Sequence, residues 1–502
     1  MFERLWEYLH SRVKLITGGR SKQRAILGGL AGLLVMLVGG LLVRSCTLET
    51  PNVRVTVDLS SAVGKSYFAP GMSLVEGIDT YDSPSAQRLM GSALTYENVH
   101  IMGWGASDPW PDPTSSEPND WDSLDALVKA ALKNGSTPVL TLSEAPWWMK
   151  GELQANGTTR VLSHSDEWEP IAYSSRVLDD KMDAWLHLVQ RVAERYMAPP
   201  YNVRYFQVWN ELKGYYNPST NAYDYTMSAG DPSGDNAKHG YTYMYNQVYD
   251  RLMEVAASLG IPQQSIKVGG PYVVTDTYSS PTALSHPSEL VRAYGIFDQR
   301  PLDVILYWLE HKRGAGFIAV DGSNRNKNHI NTVDPFVASE KFADLVAWIR
   351  SLDNTVYPGA SSLPIWLSEW YVWPYANPQN DDYSNAVKSA AMVEFLKSGG
   401  SVALTWGGRG DGTDGTGLWT VNGAGEARPT PWYYSYRDLK RYFSQGTTLY
   451  KTTISPAGSI EALASESELM LINKTPKTLK VGVENEIVTL RPYGVTAVPL
   501  NH

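Results

Sequence analysis

Val203-Arg204-Tyr205-Phe206-Gln207-Val208-Trp209-Asn210-Glu211 and Pro364-Ile365-Trp366-Leu367-Ser368-Glu369-Trp370 decide the fold. Each is an apolar, strand-like run that ends in a glutamate beside a tryptophan. A carboxylate at the end of a buried strand is costly unless something pairs with it. In a closed barrel of parallel strands, that end is where active sites collect. Working outward, the chain reads as strand followed by helix, again and again. Candidate strands lie at Gly71–Gly77, Asn98–Trp104, Pro138–Leu142, Ile266–Pro271, Gly316–Asp321 and Ser401–Trp406. Between them, apolar residues recur at helical spacing over Asp122–Gly135, Asp179–Arg195, Glu289–Tyr294, Asp303–Lys312, Glu340–Ser351, Ala386–Lys397 and Tyr433–Phe443. Eight such units specify an α/β fold, a (β/α)8 TIM barrel over residues 70–443.

Outside the barrel the texture changes. Glu468–Asn473 and Leu479–Val483 alternate apolar and polar, as does Val53–Leu59 near the other end. These runs predict a small antiparallel β-sandwich over residues 444–502, completed by a strand from the linker at 44–69. Residues 25–43 contain no charge, long enough to cross a bilayer. Residues 1–24 carry six basic and two acidic side chains, +4, which leaves −13 of the −9 total for the remainder. The expectation is a basic cytoplasmic leader, an uncleaved transmembrane helix, and a catalytic part held outside the cytoplasm, at the cell surface or in the periplasm. Arg44 interrupts a lipoprotein-like Val43-Arg44-Ser45-Cys46.

The acidic remainder argues against nucleic acid as a partner. Cys46 is the lone cysteine, so no intrachain disulfide forms, and no Cys/His cluster suggests a metal. Neither a cofactor nor an obligate protein partner is implied. Trp (17) and Tyr (30) far outnumber Phe (9), which favours half-wet surfaces where flat rings stack on sugars. Two carboxyl groups facing one another across a sugar are what glycoside cleavage needs.

The Asn210-Glu211 and Ser368-Glu369-Trp370 strings resemble the acid/base and nucleophile strands of clan A retaining glycoside hydrolases. Pro138-Val139-Leu140-Thr141-Leu142-Ser143-Glu144-Ala145-Pro146-Trp147-Trp148 resembles the third strand of the family 39 group, the β-xylosidases, α-iduronidases and exopolysaccharide hydrolases. The resemblance covers residues 70–440. It implies Glu211 as a protonated general acid/base, Glu369 as an ionised nucleophile, Asn210 on the 2-hydroxyl, and Trp406 as the floor beneath the reacting sugar. Trp104, Trp147 and Trp148 end neighbouring strands and are expected to line the cleft. Glu144 is expected either to bind a hydroxyl or to hold Glu211. Asp321 and Arg325 follow the sixth strand, where relatives carry a Tyr- or His-containing motif that this chain lacks. Gly407–Gly412 reads as a loop above the cleft. Three functions stay open: a glycosidase on a cell-surface or extracellular polysaccharide, a transglycosylase with the same carboxylates, or a non-catalytic sugar-binding protein.

Overall fold

The computed structural model describes residues 50–227, 240–377, 380–410 and 417–500. The leader, the apolar run 25–43, Cys46 and residues 411–412 of the glycine loop lie outside the described residues. Among the described residues, no helix is long and apolar enough to cross a membrane.

The described chain starts with β1 (Val53–Lys65). It then runs through eight barrel strands: β2 (Ala69–Leu74), β3 (Tyr96–His100), β4 (Thr137–Leu142), β5 (Tyr205–Val208), β6 (Lys267–Val274), β7 (Phe317–Ser323), β8 (Ile365–Tyr371) and β9 (Val402–Trp406). All pair in parallel and β9 closes onto β2, giving a closed TIM barrel. A long helix follows each strand: α1 (Pro84–Ala93), α2 (Asp122–Lys133), α3 (Met182–Met197), α4 (Tyr241–Ser258), α5 (Gln299–His311), α6 (Lys341–Ser351), α7 (Asp381–Lys397) and α8 (Pro431–Tyr442). Local chemistry fixes their ends. Ser83 caps α1 by accepting from Ala86 N, Pro84 sits in the first turn, and Asp122 and Asp125 occupy the positive end of α2.

One expectation fails. Glu289–Tyr294 is not helical; Pro287–Arg292 is a strand paired antiparallel with Gly295–Asp298. Its short apolar run fits either period, and the hairpin satisfies its own backbone before α5 begins at Gln299.

The barrel interior is layered. Tyr96, Tyr205, Phe317 and Trp366 plug the N-terminal end, with Phe317 and Trp366 stacked at 3.9 Å. Above them a buried polar layer crosses the barrel. Asn98 donates to Ser73 (3.0 Å), Thr141 to Asn98 (2.7 Å), Gln207 to Thr141 (2.9 Å), and Ser368 to Gln207. Polar groups sealed there are tolerable because each finds a partner. This layer ties β2, β3, β4, β5 and β8 together just below the two glutamates.

The strands β10 (Thr448–Ser455), β11 (Ile460–Ala464), β12 (Glu468–Asn473), β13 (Leu479–Val483), β14 (Glu486–Leu490) and β15 (Val495–Pro499) form one seven-stranded sheet with β1. Its order is β14-β13-β1-β10-β11-β12-β15. The linker strand β1 joins as expected, antiparallel to β10 and parallel to β13. Hydrogen bonding is continuous rather than divided between two sheets, with a single bridge, Tyr450 to Ala464, joining β10 to β11. Val53, Val55 and Val481 nevertheless share an apolar cluster with Ile460, Ala462 and Leu471. The sheet therefore folds over its own core. Helix α7 is buried on nearly all sides, because it lies between the barrel and this sheet. Arg491–Asp382 (2.8 Å) and the Tyr383–Tyr493 ring contact (4.7 Å) fasten the sheet to it.

Candidate active site

Both glutamates reach the C-terminal end of the barrel through broken regularity. On β8, Leu367 pairs with Val320 but Glu369 pairs with Asp321, so Ser368 is an extra residue. On β6, Pro271 pairs with Ala319 and Val273 with Val320, which leaves Tyr272 extra. A bulge re-aims the side chains beyond it. These two turn Tyr272 and Glu369 toward each other, and the Tyr272 hydroxyl donates to Glu369 Oε2 at 3.1 Å. Tyr371 donates to the other oxygen.

Glu211 comes from the turn after β5. Trp209 (φ 67°), Glu211 (φ 49°) and Leu212 (φ 50°) all adopt the left-handed region. That is rare for bulky side chains and is held only where surroundings demand it. Here Trp209 is buried against Trp185 at 5.6 Å, and its indole donates to Lys213 O at 2.8 Å. Gly214 then passes so close to Arg176 that a Cβ would lie 2.2 Å from its backbone N.

One carboxylate oxygen each from Glu211, Asp321 and Glu369 lies within 4.8 Å of the others. Around them sit buried polar atoms with no hydrogen-bond partner: Asn210 Nδ2 and Oδ1, His100 Nε2, Glu144 Oε1 and Asp321 Oδ2. Desolvated and unpaired, each such atom costs about 1–3 kcal/mol, and several of them gather here. Trp104, Trp406 and His100 form an aromatic wall, with ring centroids 4.4 to 5.9 Å apart. Tyr173 extends it, 5.1 Å from Trp104.

The charges differ from the sequence expectation. Lys213 Nζ is 2.8 Å from Glu211 Oε2. Burial pushes the Glu211 carboxyl up, but the hydrogen bond to Asp321 and the Lys213 ammonium outweigh it and hold Glu211 below the usual range. Burial, then the Glu211 charge, pushes Glu369 up to about 8. Burial and the two glutamates keep Asp321 protonated, well above its ordinary value. At neutral pH the unliganded site therefore has its negative charge on Glu211 rather than on Glu369. The Asp321 hydrogen bond and then the Lys213 ammonium favour the ionised form of Glu211, while burial and the Glu211 charge disfavour it on Glu369. His100 stays neutral, lowered to about 3 by burial and Lys213.

The remaining sequence candidates divide. Glu144 is buried and paired with Lys150 at 2.7 Å, leaving Oε1 unpartnered. Trp148 faces away, donating to Trp110 O at 2.9 Å, while Trp147 packs on His164 at 5.6 Å. Neither lines the two cavities described below. Arg325 donates its backbone N–H to Ser323 Oγ (3.0 Å) and does not line either of those cavities. Sequence reasoning missed His100, Lys213, Tyr272 and Tyr371. The tyrosines supply the contact with Glu369 for which no sixth-strand motif was visible. Lys213 and Tyr371 stand two residues after their glutamates, a spacing that alone carries no signal. The three carboxylates are, among the described residues, the grouping spaced for a divalent ion; Lys213 already supplies the countercharge.

Two cavities flank the glutamates. One of about 180 Å³ is lined by Trp406, Tyr371, Trp373 and Lys388. The other, about 490 Å³, is lined by Glu211, Lys213, Tyr173, Tyr216 and Tyr223.

No protein-family model matches the chain, and no curated protein matches its sequence. Solved structures do resemble it in fold. An endo-β1,6-glucanase superposes with TM-score 0.55 at 12 % identity, covering 88 % of this chain and 93 % of that one. A conserved exported protein from Bacteroides fragilis gives 0.54 at 12 %, covering 89 % and 98 %. A glucosidase from Croceicoccus marinus gives 0.50 at 12 %, covering 84 % and 78 %. Identities this low establish the shared fold, a barrel with an appended sheet, and leave the family 39 resemblance to the residues quoted for it.

Proposed function

We propose that this protein is a retaining glycoside hydrolase that cleaves a cell-surface or extracellular carbohydrate by double displacement. Glu211 is its acid/base and Glu369 its nucleophile. The observation that carries this reading is the glutamate pair itself. Carboxyl oxygens that approach within 4.8 Å, at the C-terminal end of a closed parallel barrel, favour the short spacing of about 5–5.5 Å used for retention over the 6.5–9.5 Å that admits a water for inversion. The glucanase and glucosidase neighbours make the same chemistry reasonable on this fold. Asn210 binds the 2-hydroxyl, Trp406 and Trp104 wall the sugar, and His100 and Glu144 offer their unpartnered atoms to further hydroxyls. Substrate binding moves a proton from the glutamate pair's resting position on Glu369 to Glu211, which changes no net charge. The pH–rate profile then reports the pair rather than either residue. Screening the full chain against aryl glycosides and polysaccharides tests the reading. Cleavage with the anomeric configuration kept in the first-formed product is expected, and inversion or the absence of any cleavage overturns it.

Lys213 gives a sharper expectation. Its charge favours ionised Glu211, so Lys213→Met raises the Glu211 pKa and keeps the acid protonated to higher pH. The alkaline limb of kcat/KM moves upward, while hydrolysis of the glycosyl-enzyme slows at low pH because the base is then protonated. A pH–rate profile with an unmoved alkaline limb contradicts the coupling.

Residues 25–43, with the basic leader, anchor the enzyme with its barrel outside the cytoplasm in this reading. Protease added to whole cells is expected to degrade the barrel and spare the leader; protection of the barrel refutes the orientation.

A further inference from the structure

The 490 Å³ cavity is more than an extension of the catalytic pair. Glu211 lines it, and so do Tyr173, Tyr216, Pro218 and Tyr223. If Glu211 is the acid that protonates the glycosidic oxygen, whatever fills the space on its side is the group that leaves. Its size falls in the range of about 300–1,000 Å³ that seats drug-sized ligands, whereas the cavity by Trp406 is less than half as large. Of these two cavities, the one on the Glu211 side is the larger.

The tyrosines there are held in place. Tyr216 is 39 % exposed, yet it belongs to a small hairpin in which Tyr216 pairs with Tyr223 and Asn217 with Ala222. The two rings meet edge to face at 5.7 Å. The Tyr216 hydroxyl donates to Asn221 Oδ1 at 2.6 Å, and Asn221 donates in turn to Ser285 Oγ at 2.9 Å. Arg300 braces the turn from beneath: it donates to Asn221, ion-pairs with Asp298 and lies 5.9 Å from the Tyr216 ring centroid. Asn221 itself takes φ 54°, which asparagine tolerates in tight turns. An exposed aromatic with this much support has already lost the freedom that binding would otherwise cost. A flat, pre-set ring beside an acid/base is a stacking surface for a pyranose.

Resting on the hydrolase reading, we infer that this groove binds the leaving-group portion of an oligosaccharide, with Tyr216 and Tyr223 as its stacking platform, so that the substrate carries more than one sugar unit beyond the cleaved bond. The tyrosine floor is neutral, and the groove's ionised side chains, Glu152, Glu211 and Lys213, do not form a field of one sign. The ligand is thus recognised by its ring faces rather than by charge.

The test uses the full chain carrying Glu369→Gln, so that binding is read without turnover. Calorimetry against β-linked gluco- and xylo-oligosaccharides, from the monosaccharide glycoside upward, is expected to give affinity that rises with chain length in at least one series. Tyr216→Ala in that background weakens the longer ligands by about tenfold and leaves the monosaccharide glycoside unchanged. Tyr216→Phe, which keeps the ring, restores most of the affinity and controls for a misfolded hairpin. In the otherwise native enzyme, Tyr216→Ala raises KM more for the longer oligosaccharides than for the shortest one cleaved. Affinity that ignores chain length, equal loss on short and long ligands, or no binding in any series overturns the inference. Length-dependent binding by a native enzyme that cleaves nothing keeps the groove and removes the hydrolase; cleavage of aryl glycosides without length dependence does the reverse.

Discussion

Replacing Glu369 by glutamine is expected to lower kcat by on the order of 10⁴-fold or more on every glycoside the enzyme cleaves, whatever the leaving group. That is about 5 kcal/mol of lost transition-state stabilisation. The neutral amide cannot attack the anomeric carbon, and no neighbouring group replaces it. Asp321 is its neighbour in register, but it is held protonated against Glu211 and has Tyr272 and Tyr371 directed elsewhere, toward Glu369. Both half-reactions fail together, since no covalent intermediate forms. The variant folds: Glu369 is 4 % exposed and, with its carboxyl pushed up to about 8, already neutral in the unliganded site at pH 7, so a neutral isostere leaves the buried charge balance as it was. An unchanged or higher melting temperature with activity gone is the expected pairing. Retention of more than about a hundredth of the native rate would assign the nucleophile to another residue.

The order of strands and helices was legible because burial imposes a period. β4, β5, β7 and β8 are apolar runs bounded by turn residues, and each begins within two residues of its expected start. The two glutamates were legible for the opposite reason, since a carboxylate at a strand's end violates burial unless it has work to do. What stayed hidden was everything that depends on irregularity. Tyr272 faces Glu369 through a bulge at a Gly-Gly-Pro-Tyr string, and alternation along β6 says nothing about where a bulge falls. His100 looked like one more residue of an apolar strand; only the structure places its Nε2 without a partner beside Trp104. For Trp147 and Trp148, a tryptophan after a strand reads the same whether the next turn aims it at the cleft or at a neighbouring loop. The inverted charge on the glutamates depends on Asp321 and on Lys213, and the position of Lys213 follows from the left-handed turn at Glu211 and Leu212 and from the close passage of Gly214. The seven-stranded order of the appended sheet required pairing partners that lie at opposite ends of the chain, which periodicity cannot report.

Removing the Glu211 side chain should separate the two half-reactions by leaving group. General acid catalysis contributes about 10²–10⁴-fold, and it acts only where the departing oxygen needs a proton. With Glu211→Ala, glycosides of alcohols and sugars should therefore lose close to that full factor in kcat/KM. Dinitrophenyl glycosides, whose phenolate leaves unaided, should still form the glycosyl-enzyme at near-native rate and then stall, because water has lost its base. A burst of dinitrophenolate followed by slow turnover is the expected trace. Azide enters the gap left by the carboxyl, attacks the intermediate without base assistance, and should raise the steady-state rate. The glycosyl azide produced keeps the substrate's anomeric configuration, since two displacements have occurred. The Lys213 ammonium, freed from its partner at 2.8 Å, adds to this by drawing the anion to the vacated position. An azide product of inverted configuration would mean that the anion attacked the substrate directly and that Glu211 is the nucleophile. Equal loss on good and poor leaving groups, with no azide effect, would mean that Glu211 supports the site without transferring the proton.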